Sequence, residues 1–272
     1  MHNVRIFKKF KHFRWSRIAY GAIFLIFLTW LFITPPGLLG KADAIGYAVC
    51  HRIDVRSLHL GGRQLPLCVR CTGMYLGALL GIVYQSSISP KYGGAPSRRV
   101  SLFLALLLFG FIVDGLNSYL NLLLGSNILY APQNSLRLLT GTGMGIVLSV
   151  LLFPAFNQTV WKDWKSKPTI PGIPSAALLV MLGLLLDLLL MTENALILYP
   201  LALASALGVL ILLTMTYTMV LLLVFHFENR YNYLSEMVLP LSGGFGISIL
   251  QILLIDIVRY ILTGTWGGFH FG

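Results

Sequence analysis

The sequence predicts an all-α, polytopic helical membrane protein with about seven transmembrane helices and a cytoplasmic N-terminus. Its 272 residues are 57% hydrophobic and 11% charged, whereas a soluble domain carries about 25% charged residues. Several apolar runs approach the roughly 20 residues needed to cross a bilayer. Basic residues lie mostly in short segments between those runs, which is the positive-inside pattern. The formal charge of +11 therefore reflects membrane topology and does not indicate a nucleic-acid partner.

The apolar runs divide the chain into seven predicted spans. They cover residues 18–36, 66–86, 100–122, 136–156, 172–191, 197–225 and 237–262. The segment 1–17 is strongly basic and is expected in the cytoplasm. Counting from it, the loops around 123–135 and 192–196, which lack Lys and Arg, fall outside together with the tail 263–272. We expect the protein to reside in the cytoplasmic (plasma) membrane, with the lipid bilayer as its first partner.

The domain organisation follows from these spans. We expect a basic cytoplasmic N-terminus (1–17), a first transmembrane helix (18–36) and an extracytoplasmic loop rich in Cys, His and Arg (37–65). The next three helices (66–156) form a core, and residues 157–272 add three further helices and a short external tail. No repeat relates the halves, so the chain is interpreted as one membrane domain.

All three cysteines lie in one short part of the chain. Cys68 and Cys71 form a Cys-x-x-Cys motif just after Pro66, which is suited to the first turn of a helix. A helix N-terminus lowers the pKa of a nearby thiol, so these two thiols are expected to be acidic. Adding Cys50 and His51 gives three sulfurs and one nitrogen, a ligand set typical of zinc, with iron as the alternative.

The same residues leave other interpretations open. Residues 43–55 are predicted to form a short external helix, and neighbours in a helix point about 100° apart. On a regular helix Cys50 and His51 cannot both bind the same ion. A metal site with three protein ligands and one open coordination position is therefore an equal possibility. Three thiols also allow a cycling redox pair, or a structural disulfide that leaves one cysteine over.

Polar residues inside the predicted spans gather at the external ends of the helices. Asp114 and Arg137 are predicted to pair across the third and fourth spans, because charges within a membrane are costly and usually paired. With Arg70 they are the candidate catalytic residues. The first external loop is also unexpectedly basic. Its cations either pair locally with Asp43 and Asp54 or bind an anionic or lipid-borne ligand; they are Lys41, Arg52, Arg56 and Arg63.

A family resemblance is carried by these motifs. The segment Cys50-His51-Arg52, the sequence GGRQLPLCVRCTGMYLG at 61–77, Asp114-Gly115, and LRLLTG at 136–141 resemble an uncharacterised family of prokaryotic integral membrane proteins, domain of unknown function 2085. The resemblance covers roughly residues 45–155. It implies that Cys50, His51, Cys68, Cys71, Asp114 and Arg137 belong together, and it implies no reaction. Where the family commonly has Asp-Gly-x-x-Gln, this chain has Asn117-Ser118.

Three functions are compatible with the sequence. The first is a membrane protein with a metal site at its extracytoplasmic face, formed by Cys50, His51, Cys68 and Cys71 and holding zinc or iron. The second is a thiol–disulfide or quinone-linked oxidoreductase, in which Cys68 and Cys71 cycle. The third is a non-catalytic subunit or scaffold of a larger membrane complex, with other membrane subunits as partners. The sequence leaves open whether the protein is an enzyme.

Overall fold

The chain folds as an all-α protein. The computed structural model describes residues 2–268, with side chains from residue 17 onward. The basic side chains of 1–16 and the end of the predicted tail, 269–272, lie outside the described residues. The helices are α1 (His2–Ile33), α2 (Leu38–Val49), α3 (Val69–Ile88), α4 (Arg98–Leu124), α5 (Asn134–Val160), α6 (Ile173–Met191), α7 (Ala195–Val224) and α8 (Val238–Thr263).

The short elements lie in the connections between helices. They are the antiparallel pair β1 (His59–Leu60) and β2 (Arg63–Gln64), the parallel pair β3 (Tyr92–Gly94) and β4 (Lys165–Pro168), and the 3₁₀ turns Asp54–Arg56 and Leu234–Met237. Residue chemistry sets several helix boundaries. Ser97 caps α4 by accepting a hydrogen bond from the Val100 N–H, and Gly125 ends α4 in the left-handed conformation with a φ of 65°.

Each of the seven predicted spans corresponds to a long helix, but not all are apolar enough to cross a membrane. Within the described residues, five helices meet that requirement: α4, α5, α6, α7 and the segment Leu234–Thr263. A sixth crossing results if α1 and α2, which are bent by 104°, count as one broken span. The bend lies at Pro35-Pro36-Gly37, where Gly37 has a φ of 80° that favours glycine.

Helix α3 is the predicted span that fails the requirement, for a reason visible in its packing. It contains glycines and polar residues because it lies inside the bundle against α5. A Cβ added at Gly77 would lie 2.5 Å from the Thr142 carbonyl oxygen, and one at Gly145 would lie 2.1 Å from the Met74 carbonyl oxygen. Glycines on both helices therefore permit direct backbone contact. The stripe of Gly73, Gly77 and Gly81 serves this contact.

The long helices alternate in direction, so the loops collect at two ends of the bundle. One end, called here the cysteine face, is formed by residues 50–68, 125–133, 192–194 and 264–268. Contacts tie these segments together. Tyr47 donates to the Thr265 carbonyl at 2.7 Å, and Asn134 donates to the Val55 carbonyl at 3.4 Å. The opposite end contains the β3–β4 pair and an ion pair between Lys91 and Asp163 at 2.8 Å.

Candidate metal centre

The loop that carries Cys50 follows a path that the sequence did not predict. The short external helix is α2 and ends at Val49, so Cys50 is in extended conformation with φ −135° and ψ 144°. Helix α2 packs tightly on the turn before α3, since a Cβ at Gly46 would lie 1.9 Å from the Pro66 carbonyl oxygen. The expectation of a helical Cys50-His51 was therefore wrong. The start of α3 also differs: it begins at Val69, so Cys68 precedes the helix and Cys71 lies in its first turn.

These two segments bring the three cysteines together. The Sγ atoms of Cys50, Cys68 and Cys71 all lie within 4.8 Å of one another. Cys50 and Cys68 are buried and Cys71 is partly buried. All three lie within the described residues and are free thiols. Sulfurs that bind one zinc ion tetrahedrally are about 3.8 Å apart, so these sulfurs are within about 1 Å of ligating distance.

The polar surroundings favour a negative charge on Cys50. Its Sγ accepts the backbone N–H groups of Arg52, at 3.4 Å, and of Cys68, at 3.3 Å. Hydrogen bonds from the Cys68 thiol, and then from the Cys71 thiol, lower the pKa of Cys50 far below its ordinary value. The hydrogen bond to Cys50 raises the pKa of Cys68 to about 12. The hydrogen bond to Cys50 also raises the pKa of Cys71. These contacts favour a thiolate on Cys50, whereas the sequence predicted acidic thiols at Cys68 and Cys71.

His51 is placed beside this group and not inside it. Its Nδ1 lies 3.8 Å from the Cys50 Sγ, but the set of mutually close ligand atoms contains only the three sulfurs. His59, a second histidine of the loop, is bound to Asp54 at 2.9 Å and lies on the exposed side. The geometry thus brings together a three-sulfur group with one imidazole at its edge.

Arg259 of α8 binds the backbone of the cysteine loop, a contact that the sequence did not predict. Its guanidinium donates to the carbonyl oxygens of Tyr47 and Cys50, the latter at 2.6 Å, and lies 3.9 Å from the centre of the Tyr47 ring. A third hydrogen bond reaches the His51 carbonyl at 3.4 Å. A helix outside the cysteine motif therefore fixes the conformation of that motif. The sequence signal for this contact was an arginine inside the last predicted span.

Most cations of the first external loop have local partners. Arg52 and Arg63 share the Asp43 carboxylate, at 3.0 and 2.6 Å. Lys41 donates to the Thr34 carbonyl at 2.9 Å. Arg56 differs, because its hydrogen bond goes to the Ser118 carbonyl of α4 at 3.5 Å. Local ion pairing thus accounts for Arg52 and Arg63, whereas neither Lys41 nor Arg56 has a carboxylate partner among the described residues.

Asp114 is the centre of a polar network beside the thiols, but its partner is not the predicted one. Arg70 pairs with its carboxylate, Tyr130 donates to it at 2.9 Å, and Thr140 donates at 3.2 Å. In the described part of the chain no ion pair joins Asp114 to Arg137. Arg137 instead donates to the Asn134 Oδ1 at 2.8 Å. The prediction failed because Arg70, one residue before Cys71, reaches Asp114 from α3.

Arg56, Arg70 and Arg137 form what we call the arginine cluster. Ser118 receives hydrogen bonds from two of them, at its carbonyl oxygen from Arg56 and at its Oγ from Arg70 at 3.0 Å. Burial lowers the pKa of Arg56, and the nearby positive charge of Arg70 lowers it further. Arg137 lies within electrostatic range of both. The three guanidinium groups therefore lie within electrostatic range of one another, and one of them, that of Arg70, pairs with the Asp114 carboxylate.

Fold and site together define a multi-pass helical membrane protein with a three-cysteine group at one end of its bundle. Residues 50–151 match the family model described as "predicted membrane protein (DUF2085)". An uncharacterized protein of Methanothermobacter thermautotrophicus is 36% identical over 104 residues, 38% of this chain and 83% of that protein. An uncharacterized protein of Methanocaldococcus jannaschii is 26% identical over 154 residues, 52% of this chain and 93% of that protein. The chain therefore belongs to the DUF2085 family. No solved structure matches it.

Proposed function

We propose that this membrane protein binds one metal ion through Cys50, Cys68 and Cys71, with zinc as the expected metal and iron as the alternative. The observation that carries this proposal is the convergence of three free thiols within 4.8 Å from two separate segments. Mixed sulfur and nitrogen donors favour these metals. His51 is proposed as a fourth ligand after rotation of its ring, or as an outer partner of the Cys50 sulfur.

The two backbone N–H groups that point at Cys50 support the same proposal. Metal binding requires thiolates, and N–H donors aimed at a sulfur stabilise its negative charge before any ion arrives. A metal held by three thiolates keeps one position for water or substrate, where it supplies Lewis-acid chemistry. We propose that Arg70, Asp114 and Arg137 act beside that position on an anionic, extracytoplasmic or lipid-borne ligand.

Metal analysis of the detergent-purified full chain tests the proposal. We expect about one zinc or iron per chain, and its loss in Cys50→Ser and in Cys68→Ser. Thr72→Ser is a matched control, because Thr72 is buried next to Cys71 and serine keeps its hydroxyl. Protein purified without chelators that contains no stoichiometric metal contradicts the proposal, as does full metal content in both cysteine variants.

A thiol redox function is the second candidate, and one observation favours it. Three sulfurs within 4.8 Å of one another, with two backbone N–H groups that favour a thiolate at Cys50, are an arrangement from which a disulfide forms. Forming that bond from one thiolate and one thiol releases two electrons and one proton to an acceptor such as a quinone or a second disulfide. Thiol titration of metal-free protein separates this function from the first: the count falls from three to one on oxidation and returns with reductant.

A further inference from the structure

The arginine cluster has more positive charge than its surroundings neutralise. Within the described residues, Asp114 is the one carboxylate that pairs with any of its three members. Asp43 is shared by Arg52 and Arg63, and Asp54 is bound to His59. The cluster therefore has a formal charge of about +2 after Asp114 is counted.

Burial makes this excess charge costly. Arg137 is only 7% exposed, and its Nε has no hydrogen-bond partner. The Nε of Arg70 is likewise buried without a partner, while its Nη2 is bound to Asp114. Buried guanidinium groups normally have an anion and fill their donor sites. Unused donors on two arginines of one cluster thus indicate a missing anionic group.

Phosphate is the anion that this geometry suits best. The one carboxylate paired with this cluster, Asp114, binds only Arg70, through its Nη2, which leaves Arg56 and Arg137 without an acidic partner among the described residues. A phosphate monoester offers three terminal oxygens and about two negative charges, which match three guanidinium groups with a net charge near +2. The three arginines of the cluster come from the loop, α3 and α5, so the anion would lie between these three segments.

An apolar groove begins beside the cluster. Thr140, which donates to Asp114, also lines a groove of about 240 Å³ between α4, α5 and α6. Gly110 precedes Asp114 on α4 by one turn, and Gly143 follows Thr140 on α5. Thr142 and Asp187 are the other polar residues of the lining, and they bind each other at 2.6 Å. The remaining lining residues are apolar, and Leu106, Leu139 and Leu184 are 69%, 44% and 42% exposed. The groove therefore opens to the lipid side of the bundle.

We propose that the protein binds a lipid phosphate, with the phosphate at Arg56, Arg70 and Arg137 and the start of one apolar chain in the groove that begins at Thr140. This inference names the ligand class of the site proposed above. It rests on the arginine half of that site, so lipid binding does not require the metal. Charge complementarity at one end and an open apolar groove at the other distinguish such a lipid from free phosphate.

The experiment measures binding of defined lipids to the detergent-purified full chain by native mass spectrometry. The probes are phosphatidic acid, phosphatidylcholine of the same chains, and inorganic phosphate. We expect saturable, chelator-resistant binding of phosphatidic acid, with phosphatidylcholine at least about tenfold weaker, as expected for loss of charge-assisted hydrogen bonds. Metal-free protein that still binds phosphatidic acid supports this inference even when the metal proposal fails.

Variants locate the binding site. Arg137→Gln and, on the more exposed loop, Arg56→Gln are expected to weaken phosphatidic acid binding about tenfold each. Arg63→Gln is the matched control, since it removes the same charge from the same face at a residue bound to Asp43. Gly110→Leu is expected to weaken lipid binding by filling the groove. Equal effects of Arg56→Gln and Arg63→Gln overturn the proposal. So does equal binding of the two lipids, or binding of inorganic phosphate alone.

Discussion

Arg259 holds the backbone of the cysteine loop although it lies more than two hundred residues away in the chain. It donates to the carbonyls of Tyr47, Cys50 and His51. Those carbonyls belong to the end of α2 and to the irregular backbone after it, where no helical N–H is available to them. A charged donor therefore replaces the missing helical hydrogen bonds exactly where the first thiol is positioned.

Arg259→Met is expected to loosen this loop and weaken metal binding by about 10- to 100-fold, the usual effect of losing a group that orients a ligand. Metal affinity, measured by competition with a chelator, checks this. Arg259→Lys is the control, because it keeps a positive donor that reaches fewer carbonyl oxygens. Its metal affinity should lie between that of the unmodified protein and that of Arg259→Met. Unchanged affinity in Arg259→Met would show that the loop is held by other contacts.

Asp43 neutralises two arginines of the same loop, and one of them is buried. Arg52 is 6% exposed, so Asp43→Asn leaves a buried cation without its counterion. We expect the free energy of unfolding to fall by about 3 kcal/mol. Thermal unfolding in detergent measures this effect. Asp54→Asn is the control, since the Asp54 side chain is 70% exposed and should change stability little. Equal effects of the two variants would contradict the assignment.

Among the elements, the contact between α3 and α5 positions the site. The first turn of α3 holds Arg70 and Cys71, and a Cβ at Gly141 of α5 would lie 2.3 Å from the Arg70 carbonyl oxygen. The glycine spacing on α3 is typical of a close helix contact. The partner helix could not be predicted, because glycine spacing shows that one face of α3 has small residues but does not show which helix packs against that face.

Gly145→Ala tests this contact at a distance from the thiols. A methyl group there would lie 2.1 Å from the Met74 carbonyl oxygen, so the helices must separate. We expect a loss of about 1–3 kcal/mol in the free energy of unfolding. Gly21→Ala is the matched control on α1, where nothing lies within 4 Å of the added methyl. The result to look for is a lower midpoint of thermal unfolding in Gly145→Ala alone.

The positions of the helices could be predicted from the sequence more accurately than the pairing of their polar side chains. Apolar runs located the seven long helices within a few residues, except that α1 begins at His2 and not near residue 18. Polar pairing was harder: Asp114 was recognised, but Arg137 was expected to be its partner and Arg70 was named only as a candidate catalytic residue. The choice between the two arginines depends on the rotation of each helix about its axis and on the depth of each residue in the bundle. Neither can be derived from sequence separation. The extended Cys50 was missed because a helical pattern continued through residues 43–55.

For the whole molecule, the sidedness of the cysteine face is the main expectation. The basic pattern predicts that this face is extracytoplasmic and the β3–β4 end cytoplasmic. Ser126 and Ser166 are exposed residues at the two ends. In intact cells, a membrane-impermeant thiol reagent should label Ser126→Cys and should label Ser166→Cys only after permeabilisation. The reverse pattern would invert the topology and place the thiols in a reducing compartment.

The C-terminal helices also take part in the site as a whole. The family match ends at residue 151, within α5, so α6, α7 and α8 lie beyond it. Asp187 of α6 binds Thr142 at 2.6 Å, and α8 supplies Arg259. These helices support the groove and the cysteine loop, which the sequence described only as an addition of unknown role.

X-ray absorption spectroscopy at the zinc and iron edges of the purified full chain tests the central claim most directly. The account predicts a stoichiometric metal with three sulfur neighbours, at about 2.3 Å for zinc, and a remaining nitrogen or oxygen neighbour. Cys50→Ser should remove this metal signal, because Cys50 supplies one of the three sulfur ligands. A metal surrounded only by nitrogen and oxygen, or a protein without metal whose three thiols all remain, would contradict it.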